Sequence, residues 1–158
     1  GWRFLEVAPK GWSGAAEDSK YVFGYYRTSE NGTNLVVGTE TGIGNGKENT
    51  QKLVAAMGSA AHTYYVGSTT TAEYAAKMCA DYRGGGHDDW FLPSKDELDL
   101  MYRNLKRNNK GGFSGDLYWS SSEGGAYGAW GRYFDDGPQD YPNRSRSLEI
   151  RVRPVRAF

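Results

Sequence analysis

Apolar residues come in short runs whose spacing changes along the chain. Trp2-Arg3-Phe4-Leu5-Glu6-Val7 has the density of a buried or half-buried strand, closed by Pro9, Gly11 and Gly14. Tyr21-Val22-Phe23-Gly24-Tyr25-Tyr26 predicts a second extended segment, followed by the turn signal Asn31-Gly32 and the short apolar run Leu35-Val36-Val37. A helix capped at Asn49 or Thr50 and ending at Gly58 comes next. Thr70 to Arg83 predicts a second helix, because Ala72, Ala75, Ala76 and Cys79 share one face. Gly84-Gly85-Gly86 ends it, and Asp89-Trp90-Phe91-Leu92 predicts a short interior strand. Ser94 and Glu97 have capping-box spacing, and Leu98, Met101, Tyr102 and Leu105 form the stripe of a third helix.

The last quarter is different. Tyr118-Trp119-Ser120-Ser121-Ser122-Glu123 and Arg151-Val152-Arg153-Pro154-Val155-Arg156-Ala157-Phe158 both predict strand, but 124–147 between them lacks Leu, Ile, Val and Met. It predicts a long irregular segment, which in a compact domain is usually functional or disordered. Regular flanks favour function, with Trp119, Trp130 and Phe134 expected as anchors packed in the core. Leu148, Ile150 and Val152 alternate with charged residues, so the C-terminal strand is expected to pair with the N-terminal one. Pro154 then marks an edge or bulge. Together these elements predict an α+β domain spanning 1–158, helices packed on small antiparallel sheets.

Length and composition narrow the partners. At 158 residues the chain is one domain, and 15% aromatic content compensates for a hydrophobic fraction of 38%. Lys+Arg and Asp+Glu both number 19, which gives no electrostatic reason to expect nucleic acid or an anionic membrane. No apolar run reaches membrane-spanning length, and no leader pattern opens the sequence. Its single cysteine, Cys79, cannot form an internal disulfide.

Candidate chemistry is sparse. Gly42 to Lys47 has the glycines of an anion-binding loop, but Glu48 stands where a phosphate loop needs Ser or Thr, so a structural turn is expected. Cys79 falls in an apolar stripe, unlike a reactive thiol. His62 and His87 are not spaced as ligands, and Asp135-Asp136-Gly137 lacks the remaining positions of a calcium loop. Ser120, Ser121 and Ser122 have no nucleophile elbow around them and are expected to bond local backbone. Neither a catalytic set, a metal nor a cofactor is expected. The tail instead has the Tyr, Ser, Gly, Asn and Arg of antibody-like surfaces. From composition alone it is either such a face or a solvated loop with rings covering the core.

Asp89-Trp90-Phe91-Leu92-Pro93-Ser94-Lys95-Asp96-Glu97-Leu98 resembles the Trp-x-Leu-Pro-(Ser/Thr)-x-x-Glu-Leu segment of C-type lectin-like domains of the formylglycine-generating-enzyme type. Tyr118 to Glu123, Ala129-Trp130, Phe134, Gly137 and the ending Val152 to Phe158 extend the resemblance. Within that group the chain is similar to the variable proteins of diversity-generating retroelements, in which replaced adenines rewrite a C-terminal ligand-binding face. Asn codons altered at adenine cannot give Lys, Glu, Gln, Met or Trp, and within 124–147 only Trp130 and Gln139 fall outside the reachable set.

The resemblance implies a C-type lectin-like fold and a hypervariable binding face. The residues expected on it are Gly124, Gly125, Tyr127, Gly128, Gly131, Tyr133, Asp135, Asp136, Asp140, Tyr141, Asn143, Ser145 and Ser147. The resemblance does not identify the ligand; a protein on a cell or virion surface is expected, with an extracellular, cell-surface or virion location for the chain. The reactive cysteines of the oxidase branch, the histidine cluster of the iron-dependent branch and the Glu-Pro-Asn triplet of calcium lectins are absent from the sequence. A fixed adhesive module of the same fold is the alternative, and an oxidase-like enzyme a more distant one.

Overall fold

A computed structural model describes residues 3–24, 36–63, 70–135 and 140–158, with the backbone alone at 62, 63, 70 and 140–143. Its centre is β5 (Leu117–Glu123), buried along its length except at Glu123. Alternation along β5 supplies two cores. Leu117 and Trp119 join Phe23, Leu53, Met57, Tyr74, Cys79 and Val152, whereas Tyr118 joins Phe91, Leu98, Met101, Phe113, Phe134 and Val155. A strand whose two faces are both covered has no solvent side, which explains its near-continuous burial.

Among the described residues that axis belongs to a five-stranded sheet in the order β2-β8-β5-β6-β7, where β2 is Lys20–Tyr21, β6 Gly128–Tyr133, β7 Asp140–Ser145 and β8 Ile150–Arg151. All neighbours are antiparallel except β5 and β8, which run parallel. The segment predicted to be irregular therefore contains two strands. Aliphatic content was the wrong criterion, since Gly, Ala, Arg and aromatic residues also carry a backbone ladder. Edge strand β7 includes Pro142, a residue tolerated at edges because it removes a donor.

The termini pair, as expected, but in a different register. β1 (Leu5–Val7) lies antiparallel to β9 (Val155–Ala157), with Glu6 opposite Arg156. Ile150 and Arg151, the expected partners, pair instead with β2 and β5. Pro154 separates the two uses of the chain: it lacks an N–H for a ladder, and its carbonyl accepts from Ala8 N at 2.9 Å.

Among the described residues three α-helices pack on the sheet: α1 (Gly46–Met57), α2 (Ala75–Asp81) and α3 (Lys95–Asn104). α3 has the predicted capping box: Ser94 Oγ accepts from Glu97 N at 3.3 Å and Glu97 Oε2 from Ser94 N at 2.7 Å. α1 begins before Asn49 and Thr50, which bond sideways rather than cap. Asn49 brackets the Glu40 backbone, and Thr50 Oγ1 accepts from Leu92 N at 3.0 Å. α2 is shorter than predicted because β4 (Thr70–Thr71) pairs with β3 (His62–Thr63), and fully buried Tyr74 is still extended. Asp89 to Leu92 forms no strand beyond one bridge, Phe91 to Val155. No helix among the described residues is long and apolar enough to cross a membrane.

Candidate binding face

The tail is held from beneath by a buried ion pair. Glu123 ends β5, and its carboxylate accepts from Val37 N at 3.1 Å, Gly38 N at 3.0 Å and Thr39 N at 3.2 Å. Arg146 Nη2 completes the set at 2.6 Å and also donates to Gly125 O at 2.6 Å. The Arg146 side chain is wholly buried and that of Glu123 4% exposed. Burial pushes the Arg146 pKa down, and its hydrogen bond and charge interaction with Glu123 oppose that shift. Arg146 O accepts from Phe23 N at 2.9 Å, so one residue ties the tail, the 37–39 segment and the entry to the core.

Above this pair the chain turns. Gly124 N donates to Gly128 O at 3.0 Å, and Gly125 has φ +118°, a conformation that favours glycine. Tyr127 stands 57% exposed at the tip. Ser145, opposite Gly128 in the ladder, is half-buried and shares a hydroxyl contact of 3.0 Å with half-buried Ser147. Exposed Asp135 lies past the far end of β6, roughly 17 Å away at the rise of a strand. Asp140, Tyr141 and Asn143 are placed by backbone in β7, and Asp136 lies outside the described residues. The expected face thus occupies two ends of one hairpin.

Some expected positions do not project outward. Gly128 and Gly131 are buried, and a Cβ on Gly131 would lie 3.1 Å from Leu117 Cδ1 and 3.2 Å from Tyr118 O. Tyr133 is half-buried against the Trp119 core, under the Arg144 guanidinium at 5.7 Å. Among the expected anchors, Trp119 and Phe134 are fully buried. Trp130 is only half-buried, on the side of β6 facing α3, with Lys95 Nζ 5.0 Å above its ring. Arg132 on that side is buried between Asp99, at 2.7 Å, and the Tyr102 ring, at 4.0 Å.

The other candidate groups are engaged internally. Ser120 Oγ donates to Trp130 O and Ser122 Oγ to Glu40 O, each at 2.7 Å, and Ser121 Oγ accepts from Asn49. Cys79 is fully buried, and burial holds its thiol well above the ordinary value. The glycine loop does bind an anion, but one from the protein: Glu97 Oε1 accepts from Gly44 N at 3.0 Å. A Cβ at Gly46 would overlap Glu97 Oε2 and lie 2.8 Å from Ser94 N, so this close approach requires glycine. Among the described residues no group of three His, Cys, Asp or Glu is placed to hold a metal.

Sequence reasoning missed Arg146 and Glu123 because their partners lie far away in sequence. The detectable signal was a lone Glu at the end of a Ser-rich strand and a lone Arg between serines, which is weak. No family model matches the chain, and no curated protein matches it.

Proposed function

We propose that this chain is a binding module. It displays the β6–β7 hairpin and its turns as a variable ligand-binding face on a C-type lectin-like scaffold, like the variable proteins of diversity-generating retroelements. Its ligand is a protein on a cell or virion surface, which places the module outside the cell or on a virion. The observation that carries this reading is the Glu123–Arg146 clasp, which fixes the turn through backbone groups and a buried ion pair rather than through outward side chains. Side chains such as Tyr127 can then change while the turn keeps its shape. Tyrosines on such a face supply contact area at low entropy cost. On this reading the module binds rather than catalyses, and its one thiol, Cys79, is buried.

Sequencing the tail DNA across related genomes tests diversification. Replacements should concentrate at codons for Gly125, Tyr127, Asp135, Tyr141 and Asn143, at adenines of a nearby near-copy adjoining a reverse-transcriptase gene. An unchanging tail with no second copy would overturn it. A fixed adhesive module of the same fold is the second reading. The burial of Gly128 and Gly131 favours it, since at Gly131 a side chain would press on Leu117 and the β5 backbone.

A further inference from the structure

We infer that the cavity beside the far end of β6 is a carboxylate site that takes an acidic side chain of the protein ligand, which rests on the binding-module reading. The cavity holds about 340 Å³, at the small end of ligand-sized spaces, and is half-open. Tyr102 and Phe134 line it, with ring centroids 5.7 Å apart and nearly perpendicular. Lys106, Arg107 and Asn109 from the turn that follows α3, Gly115, and Asp135 from the tail complete its wall. Scaffold and tail therefore meet in one space.

The wall's charges differ in how far they are committed. Lys106 Nζ donates to Phe113 O at 3.2 Å, and Tyr102 donates its hydroxyl to Asp135 O at 3.2 Å. Arg107 is exposed, and among the described residues no hydrogen bond or ion pair engages it. Arg103 in the last turn of α3 and Lys106, Arg107 and Lys110 just after it make this region basic, while nearby Asp99 is taken by Arg103 and Arg132. A planar guanidinium offers a fork to a carboxylate, and the aromatic edges suit the methylene stem of a Glu side chain. The Asp135 carboxylate in the same wall repels a doubly charged phosphate more than a singly charged carboxylate. Chemistry of this kind gives the ligand one constant contact beside positions that vary.

Nitrogen-15 spectra of the whole chain, titrated at constant ionic strength, test the assignment. The probes are a blocked Gly-Glu-Gly peptide, its Gln counterpart, glutarate and sulfate. The Glu peptide should shift the Asn109, Gly115 and Asp135 amides saturably, about fivefold more tightly than the Gln peptide, as a partly exposed ion pair allows. Arg107→Gln should remove that preference and leave the rest of the spectrum unchanged, whereas Lys47→Gln, which removes an exposed charge on α1, should leave the preference intact. Equal binding of the two peptides, or a preference that survives Arg107→Gln, overturns the site. Sulfate binding tighter than the Glu peptide would make it a general oxyanion site. Glutarate binding as tightly as the peptide would assign it to a free acid; either result also overturns the proposal. An invariant tail gene would leave this titration unaffected, so the two failures are distinguishable.

Discussion

Arg153 grips Asp18 with both arms of its guanidinium, Nε and Nη2 each donating at 2.8 Å, and neither side chain reaches solvent. Asp18 also accepts from the Tyr118 hydroxyl, and Arg153 Nη1 donates to Ala8 O and Gly111 O. The pair thereby joins an N-terminal loop, the central strand and the C-terminal segment. Asp18→Ala should destabilise the domain by about 3–5 kcal/mol, because it leaves a charge buried without its partner. Urea unfolding measures this. The double variant Asp18→Ala, Arg153→Met should lose less than the sum of the two single variants.

Glu97 gives a pH signature. Burial pushes its carboxyl above the ordinary 4.5, against the pull of the Ser94, Gly44 and Gly46 amides. A carboxyl raised on folding adds stability that is complete below its unfolded pKa and disappears as pH rises through the folded one. Measured against Glu97→Gln, the natural protein should lose stability as pH climbs from 4.5, then level off once Glu97 is ionised. Urea midpoints over that range decide the sign. A difference growing in favour of Glu at higher pH would mean the amides outweigh burial.

Gly131 separates backbone room from surface. A Ser there must displace Leu117 or the backbone of β5, for a cost of about 1–3 kcal/mol. Tyr127→Ser at the exposed tip should stay within about 0.5 kcal/mol of the natural protein. Thermal melts of the two variants compare them directly; equal midpoints would show that β5 and β6 separate at little cost.

Phe134 and Trp130 lie in the same hairpin with different burdens. Phe134 packs on Tyr118 at 4.5 Å and Phe113 at 5.0 Å, so Phe134→Ala should cost about 3–5 kcal/mol. Trp130→Ala should cost less, since that ring is half-buried and its Lys95 contact is worth about 0.5–1 kcal/mol when exposed. Urea midpoints in the reverse order would place Trp130 in the core after all.

Local chemistry was legible in the sequence, and long-range chemistry was not. Ser94 and Glu97 lie three apart, and their capping box needs nothing beyond its own turn. The Cys79 stripe was readable for the same reason, although tertiary pairing of Thr70 and Thr71 moved the helix start. The tail's unusual composition was readable, but its hairpin was not. Backbone partners carry β6, and an alternation rule fails where the register shifts between Ala129 and Gly131. The Glu123 clasp on 37–39 spans 84 to 86 positions, a distance at which a single sequence gives no pairing signal.

Glu97 and Glu123 each close a loop by presenting a carboxylate to backbone amides, where many small extracellular folds would place a sulfur bridge. Neither clasp can be reduced, and the one thiol in the chain is sealed inside the core. Glutathione and air should therefore be equivalent surroundings for this fold. A library of its tail variants could be produced in a reducing cytoplasm and used in an oxidising medium with no refolding step between them.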